Sequence, residues 1–341
     1  MTATVHLAHE HDVTFACMGC TFRLLVGPPE GAGATVAVQA ELAAIDAALT
    51  RFRPDSELSR LNADPRATVP ASPLLRAAVR AALWAVQRTD GLVDPTLLGA
   101  LERAGYVDSL ADAPPAPLAA ALEGAPPRRP AQPRPDQRWR AVRVDDVAGT
   151  IARPPGLRLD LGGVGKGLAA DLVAERLAAQ ARFVVDAAGD VRLGGVRTAT
   201  RPHEIDVAHP WDPEPLGTVR IAAGAIATSG VGSRLWATRA GGHAHHLLDP
   251  STGAPAWTGL VAATALAPTA LEAETLAKAA LLSGPLGARR WLAQRGGVVV
   301  HEDGAAEWIG PVWPRRRTPP ERLPPRLRVA LPVPRAGGGA A

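Results

Sequence analysis

Lysine is almost missing from this chain. Of its 37 basic residues only two are Lys, Lys166 and Lys278, and the others are all Arg. The formal net charge is only +4, so the arginines do not add up to a polyanion-binding surface. Aromatic residues are scarce too, with one Tyr, four Phe and eight Trp making 4% of the chain, which argues against a base-stacking platform. Together these shortages exclude a nucleic-acid partner. The only two cysteines, Cys17 and Cys20, exclude a disulfide scaffold and a four-thiolate zinc site. No uncharged apolar run approaches the ~20 residues that cross a bilayer, so no transmembrane segment is expected. Met1 to Asp12 has acids and histidines but no basic segment followed by an apolar one, the pattern of a secretory signal. The expectation is therefore a cytoplasmic protein, with a peripheral or exported location left open. What is plentiful is apolar surface: 47% apolar residues suffice for a sizeable core and rule out a wholly disordered chain. In so lysine-poor a chain, each Lys points to a position that needs an ammonium.

Residues 13–26 read as one strand interrupted at Gly19. Residues 34–51 read as a helix with Val36, Leu42, Ile45 and Leu49 on one side. A second helix covers 73–89, opened by Ser72 as N-cap and Pro73 in its first turn. Residues 112–138, rich in Pro and Arg, read as an exposed connection. Short strands are expected at 140–145, 149–153 and 157–161, then a helix over 164–179 and strands near 182–186 and 190–197. Several short strands fill 203–267. A helical stretch over 268–294 breaks at Gly284-Pro285, and a hairpin covers 297–309. From Pro311 the Pro/Arg-rich tail, 311–341, reads as irregular. Strands mixed with helices without strict βαβ alternation indicate an α+β fold.

The sharpest chemical feature is 160–171, DLGGVGKGLAAD. Its glycines admit a ligand close to the backbone, and the helix that follows favours anions at its N-terminus. Lys166 in the first helical turn opposes the helix dipole, so it makes more sense facing a phosphate than solvent. The segment does not match the GxxxxGK[ST] phosphate loop. Segment 243–253, HAHHLLDPSTG, places three His near Asp249. His245 and His246 are adjacent and point to opposite sides of a strand, so they would not share one metal, and a general base is the better reading. Cys17 and Cys20, placed on one strand, would face opposite sides and read as small buried residues rather than a redox pair. Glu274 and Lys278 are spaced i,i+4 on a helix, in the favourable order for an ion pair.

In this order, these segments resemble the ApbE family, the FAD:protein FMN transferases, over roughly 13–310. The carrying elements are Met18-Gly19-Cys20, Ser56-Glu57-Leu58-Ser59-Arg60-Leu61-Asn62, Gly91-Leu92-Val93-Asp94-Pro95-Thr96, Asp160 to Gly167, Ala227-Thr228-Ser229-Gly230, and His246 to Gly253. The resemblance implies a single large α+β catalytic domain, related to the T-fold, with mixed or antiparallel sheets and flanking helices. It also implies FAD as donor, Mg²⁺ assistance, and transfer of FMN to a Thr or Ser hydroxyl of a flavin-acceptor protein with an FMN-binding domain, with AMP leaving. By matching positions, Met18, Leu92, Val93, Asp94, Asp160, Lys166 and Leu248 would line the FAD site. The Gly163 carbonyl and Glu274 would meet the metal, and His246 would be the base on the acceptor hydroxyl.

The departures fall in the late metal element. Its usual Asp is Glu274 here, one methylene longer, and the Thr that ends it is Lys278, an ammonium where a cation would bind. Like charges in one site are mutually unfavourable, so the metal is expected to be weakened or replaced. Three activities compete: flavin transfer, non-catalytic FAD binding or delivery, and FAD pyrophosphate hydrolysis to FMN and AMP. Retention of His246 favours transfer.

Overall fold

The computed structural model describes residues 11–29, 31–110, 113–238, 241–312 and, as backbone, 327–329. Its frame is an eight-stranded sheet whose spatial order follows the chain: His11–Cys17, Cys20–Val26, Phe183–Ala187, Asp190–Gly194, Gly224–Gly230, Leu260–Ala267, Gly297–His301 and Ala306–Ile309. Every neighbouring pair is antiparallel. The fold is α+β, with the helices inserted between strands that still pair in sequence order.

Side chains alternate across the sheet, and the two faces have different covers. Phe22, Leu24, Val26, Phe183 and Val185 pack on one face beneath helix residues such as Val38, Leu42, Val173, Leu177 and Leu276. Leu25, Val184, Val191, Leu193 and Ile226 face the other way, under Ile205, Val207, Val219 and Ile221 of a smaller sheet. In that smaller sheet His203–Val207 pairs with Gly217–Ile221, and Leu327–Val329 adds a parallel strand to it. The rest of the tail, from 313 on, lies outside the described residues. Burying each of the larger apolar side chains contributes about 1.5–3 kcal/mol.

The Gly31–Leu49 helix has the length and mean hydropathy of a membrane span. Here Thr35, Val38, Leu42, Ile45 and Leu49 form one buried stripe at helical spacing, with Glu41 and Asp46 elsewhere on the helix. Val36, expected on that stripe, is instead 66% exposed. The Pro73–Arg88 helix begins as expected, with the Ser72 hydroxyl accepting from the Leu75 amide at 3.1 Å. A short helix not foreseen, Glu57–Ala63, is capped by Ser56. Its Asn62 side-chain amide bonds both ways with the Leu159 backbone, at 2.8 and 2.7 Å, and residues 157–161 form no strand. The expected strand there is replaced by this side-chain clamp. Within 112–138, Ala121 and Ala131 are buried, and the Ala116, Arg129 and Ala131 amides bond to Leu235, Trp257 and Leu282. That segment is exposed over most of its described residues, as expected, and is pinned to the body at these points. The 268–294 stretch divides into Ala270–Leu282 and Gly284–Leu292, as the Gly-Pro break required.

Candidate functional site

Residues 13–26 are not one interrupted strand but a tight hairpin, with Cys17 opposite Cys20. The two turn residues, Met18 and Gly19, have φ of 50° and 66°, which makes the two-residue turn that matches the right-handed twist of the flanking strands. Cys17 and Cys20 are therefore cross-strand neighbours, and the expectation that they face opposite sides falls with the single-strand reading. Burial pushes their thiols up to about 12 and about 11, so neither is a ready nucleophile. The Met18 amide donates to Asp46 Oδ2 at 3.0 Å, which ties the turn to the Gly31–Leu49 helix.

A second two-residue turn, Ala188-Gly189 with φ of 52° and 98°, joins Phe183–Ala187 to Asp190–Gly194. His11–Cys17, Phe183–Ala187 and Gly224–Gly230 run in the same direction. They deliver Met18, Ala188 and Thr228 to one end of the sheet. All three line a cavity of about 480 Å³ there, within the usual range for a small-molecule site.

The Gly165–Leu177 and Ala270–Leu282 helices cap each other. The Gly167 amide donates to Glu274 Oε2 at 2.8 Å. In return the Ala270 and Leu271 amides donate to Asp171 at 2.8 and 2.9 Å. Each carboxylate satisfies amides that the first helical turn leaves unpaired, and each lies at the positive end of a helix. Gly167 makes the approach possible, because a Cβ there would stand 2.6 Å from the Ala270 carbonyl oxygen.

Two lysine–carboxylate pairs follow from this crossing. Lys166 Nζ lies 2.6 Å from Asp190 Oδ2, and Lys278 Nζ lies 2.8 Å from Glu274 Oε1. Both lysines line the cavity, whereas Glu274 and Asp190 do not: they are 0% and 1% exposed and sit behind. Burial works to lower the Lys166 pKa, but Asp190 and Glu274 outweigh it and hold the ammonium above its ordinary range. For Glu274 burial pushes the carboxyl well above its ordinary range, to about 7; Lys278 and Lys166 draw it back only in part, and the nearby Asp190 adds to the rise.

Met18, Leu92, Val93, Asp94, Asp160, Gly163, Lys166, His246 and Leu248 all line this one cavity. Glu274 stands behind it. Asp160 is held by Arg51 Nε at 2.8 Å and by the Gly162 amide at 2.9 Å. The Arg51 guanidinium also lies over the Phe52 and Tyr106 rings, at 4.2 and 4.5 Å. One oxygen of Asp94 takes the amide and hydroxyl of Thr96, and the other, Oδ2, is buried without a partner.

His245 ends the His243–His245 strand and His246 lies in the bend that follows, so the two rings part without the strand alternation the sequence suggested. His245 is fully buried edge-on against Trp257, with its pKa pushed down to about 3 by burial. His246 faces the cavity with Nδ1 buried and unpartnered. Burial, then the neighbouring His245, Lys278 and Arg234, hold its pKa well below the ordinary imidazole value. It is a neutral base, not the near-neutral titrating group its residue type suggests.

Sequence reading missed Asp190, the partner of Lys166, and Arg234. The Arg234 side chain lines the cavity and donates to the Gly19 and Ser233 carbonyls, with no carboxylate in ion-pair range among the described residues. The only available signal was its place four residues after Gly230.

The implied divalent cation does not fit the donors present. Both Glu274 oxygens are taken, one by an amide and one by an ammonium. Among the described residues no three His, Cys, Asp or Glu side chains are grouped to share an ion.

Fold and site thus define an α+β protein with a cation-lined cavity at one end of an antiparallel sheet, suited to an anionic ligand. The ApbE family model matches residues 18–301, and the chain belongs to that family. Among curated proteins it is 31% identical to the FAD:protein FMN transferase of Salmonella typhimurium over 247 residues, 70% of this chain and 67% of that protein. It is 30% identical to the enzyme of the same name from Klebsiella pneumoniae, over 80% of this chain and 79% of the relative. Its fold is similar to the ApbE protein of Thermotoga maritima, with a TM-score of 0.73, 24% identity, and coverage of 88% of this chain and 97% of that one. The flavinyl transferase ApbE of Pseudomonas stutzeri aligns with a TM-score of 0.70 at 22% identity, over 90% of this chain and 96% of that one.

Proposed function

We propose that this chain is a FAD:protein FMN transferase. It moves FMN from FAD to a Thr or Ser hydroxyl of a flavin-acceptor protein and releases AMP. The observation that carries this reading is the unpartnered Nδ1 of a neutral His246 on the same cavity as two lysine ammoniums. The reaction needs that combination: a base for one hydroxyl proton, and positive charge for a diphosphate. The acceptor oxygen bonds to the phosphorus on the flavin side, and the anhydride bond to the AMP phosphate breaks. His246 takes the hydroxyl proton as that bond forms, and AMP carries away the electron pair of the broken bond. Phosphoryl-type transfer rests chiefly on positioning and on electrostatic stabilisation, and Lys166, Lys278 and Arg234 supply cations for it. Asp94, Leu92, Val93 and Met18 form the remaining wall.

The test is incubation of the full chain with FAD and a purified flavin-acceptor domain, with and without Mg²⁺. A covalent fluorescent adduct and an equal amount of AMP are expected. AMP without adduct would replace transfer by pyrophosphate hydrolysis, and FAD retention without AMP would leave a flavin-binding or flavin-delivery protein.

A further inference from the structure

Resting on the reading that the cavity takes FAD, we propose that Lys166 and Lys278 together hold its diphosphate, and that this chain binds it without a divalent cation. Each ammonium has three N–H donors. Lys278 directs one at Glu274, and Lys166 turns toward Asp190 and, at 3.4 Å, the Ala187 carbonyl. Donors remain on both for phosphate oxygens. The carboxylates sit behind the lysines, so each pair presents its positive end to the cavity. A diphosphate diester carries two negative charges, and the two ammoniums, each already paired with a buried carboxylate, offer it N–H donors and the positive end of each pair rather than unbalanced charge.

A divalent cation at this place would face both ammoniums, and like charges at short range repel strongly where water is excluded. It would also have to take Glu274 away from the Gly167 amide and Lys278, undoing the cap that joins the two helices. The chain's only two lysines are thus brought to one cavity from helices more than 100 residues apart in sequence. Arginine, abundant everywhere else, occupies neither position. An ammonium is a compact point charge on a flexible stem, which suits a small space between a helix start and a buried carboxylate better than a planar guanidinium does.

The experiment is FAD affinity, measured by flavin fluorescence on the full-length protein in EDTA and in millimolar Mg²⁺. For the wild type the two affinities are expected to agree within about twofold. Replacing a charge-assisted contact by a neutral side chain is expected to cost Lys278→Thr about tenfold or more in EDTA. Mg²⁺ is then expected to restore part of that loss, because Glu274 Oε1 is freed for a cation. Lys278→Thr leaves Glu274 buried without its ammonium, so the double variant Glu274→Gln, Lys278→Met is measured beside it. That protein keeps an acceptor for the Gly167 amide and strands no charge. It is expected to fold, by circular dichroism and thermal unfolding, and to bind FAD about tenfold or more weakly with or without Mg²⁺. Wild-type affinity that rises tenfold or more with Mg²⁺, or a double variant that binds FAD like wild type, overturns the proposal. The transfer reading stands or falls separately: metal-free FAD binding without adduct formation overturns transfer alone, Mg²⁺-dependent binding with adduct formation overturns the ammonium site alone, and no FAD binding in either buffer overturns both.

Discussion

The two sides of the cavity treat their polar groups in opposite ways. On the side built by the Gly165–Leu177 and Ala270–Leu282 helices, every charge has a partner: Lys166 with Asp190, Lys278 with Glu274, and the helix amides with Asp171 and Glu274. On the facing side Asp94 Oδ2 and His246 Nδ1 are buried with no partner. An unmet buried polar atom costs about 1–3 kcal/mol, and these two differ from the equally unmet His245 Nε2 and Thr275 Oγ1 in belonging to residues that line the cavity. The paired side has its charges matched in the free protein, although Asp190 Oδ1 and Thr275 Oγ1 there are also buried without a hydrogen bond. The unpaired side is complete only with a ligand or acceptor in place.

The largest effect is expected from the unpaired side. His246→Ala should lower the transfer rate about 10²–10⁴-fold, the usual loss for a general base, and leave FAD affinity nearly unchanged. Single-turnover transfer kinetics beside a binding titration would check it, and an unchanged rate would remove His246 from the reaction. On the paired side Gly167→Ala should act on stability. Its Cβ would fall 2.6 Å from the Ala270 carbonyl oxygen, and forcing the helices apart should cost about 1–3 kcal/mol in denaturant unfolding. A neutral result would mean that the helix crossing is not held by close contact.

The two adjacent histidines sharpen the same contrast through pH. His245 has a folded pKa of about 3 against an ordinary 6.5. The unfolded chain alone takes up the proton between those values, so stability should fall as pH drops from 6.5 toward 3. Over the first pH unit and a half the loss approaches about 2 kcal/mol. His245→Phe should flatten that slope in thermal unfolding measured across pH, and an unaltered slope would assign it elsewhere. The smallest expected change is in the pH profile of transfer. With its pKa held well below 6.5, His246 remains neutral, so no acid limb from imidazole should show between about pH 8 and pH 6. A limb near the ordinary imidazole value, lost in a His246 variant, would show that the acceptor complex hydrates or recharges this group.

Where local chemistry dominates, sequence and structure agree closely. Ser72 and Pro73 start a helix where a hydroxyl cap and a fixed φ require one, and Gly284-Pro285 ends another. Errors arose where one residue had to be read against a distant partner. Gly19 reads in the sequence as a break in a strand, whereas Met18 and Gly19 together reverse the chain, and their positive φ values make sense only once the two arms pair. Residues 157–161 form no strand, and Asn62, 97 positions away from Leu159, takes up the Leu159 backbone groups instead.

The sequence by itself determined the α+β class and most helix starts and stops, which depend on spacing, caps and turn residues acting over a few positions along the chain. The set of segments that meet at the cavity was legible only through the family resemblance. Only the tertiary structure decided what the charged residues do. Glu274 reads in the sequence as half of a helical ion pair and as a candidate metal donor. Folded, it is the cap of a second helix and the anchor of Lys278. Asp190 drew no notice until the sheet brought it 2.6 Å from Lys166. Charge energies depend on burial and on the few ångströms between groups from different elements, and neither quantity exists until the elements pack.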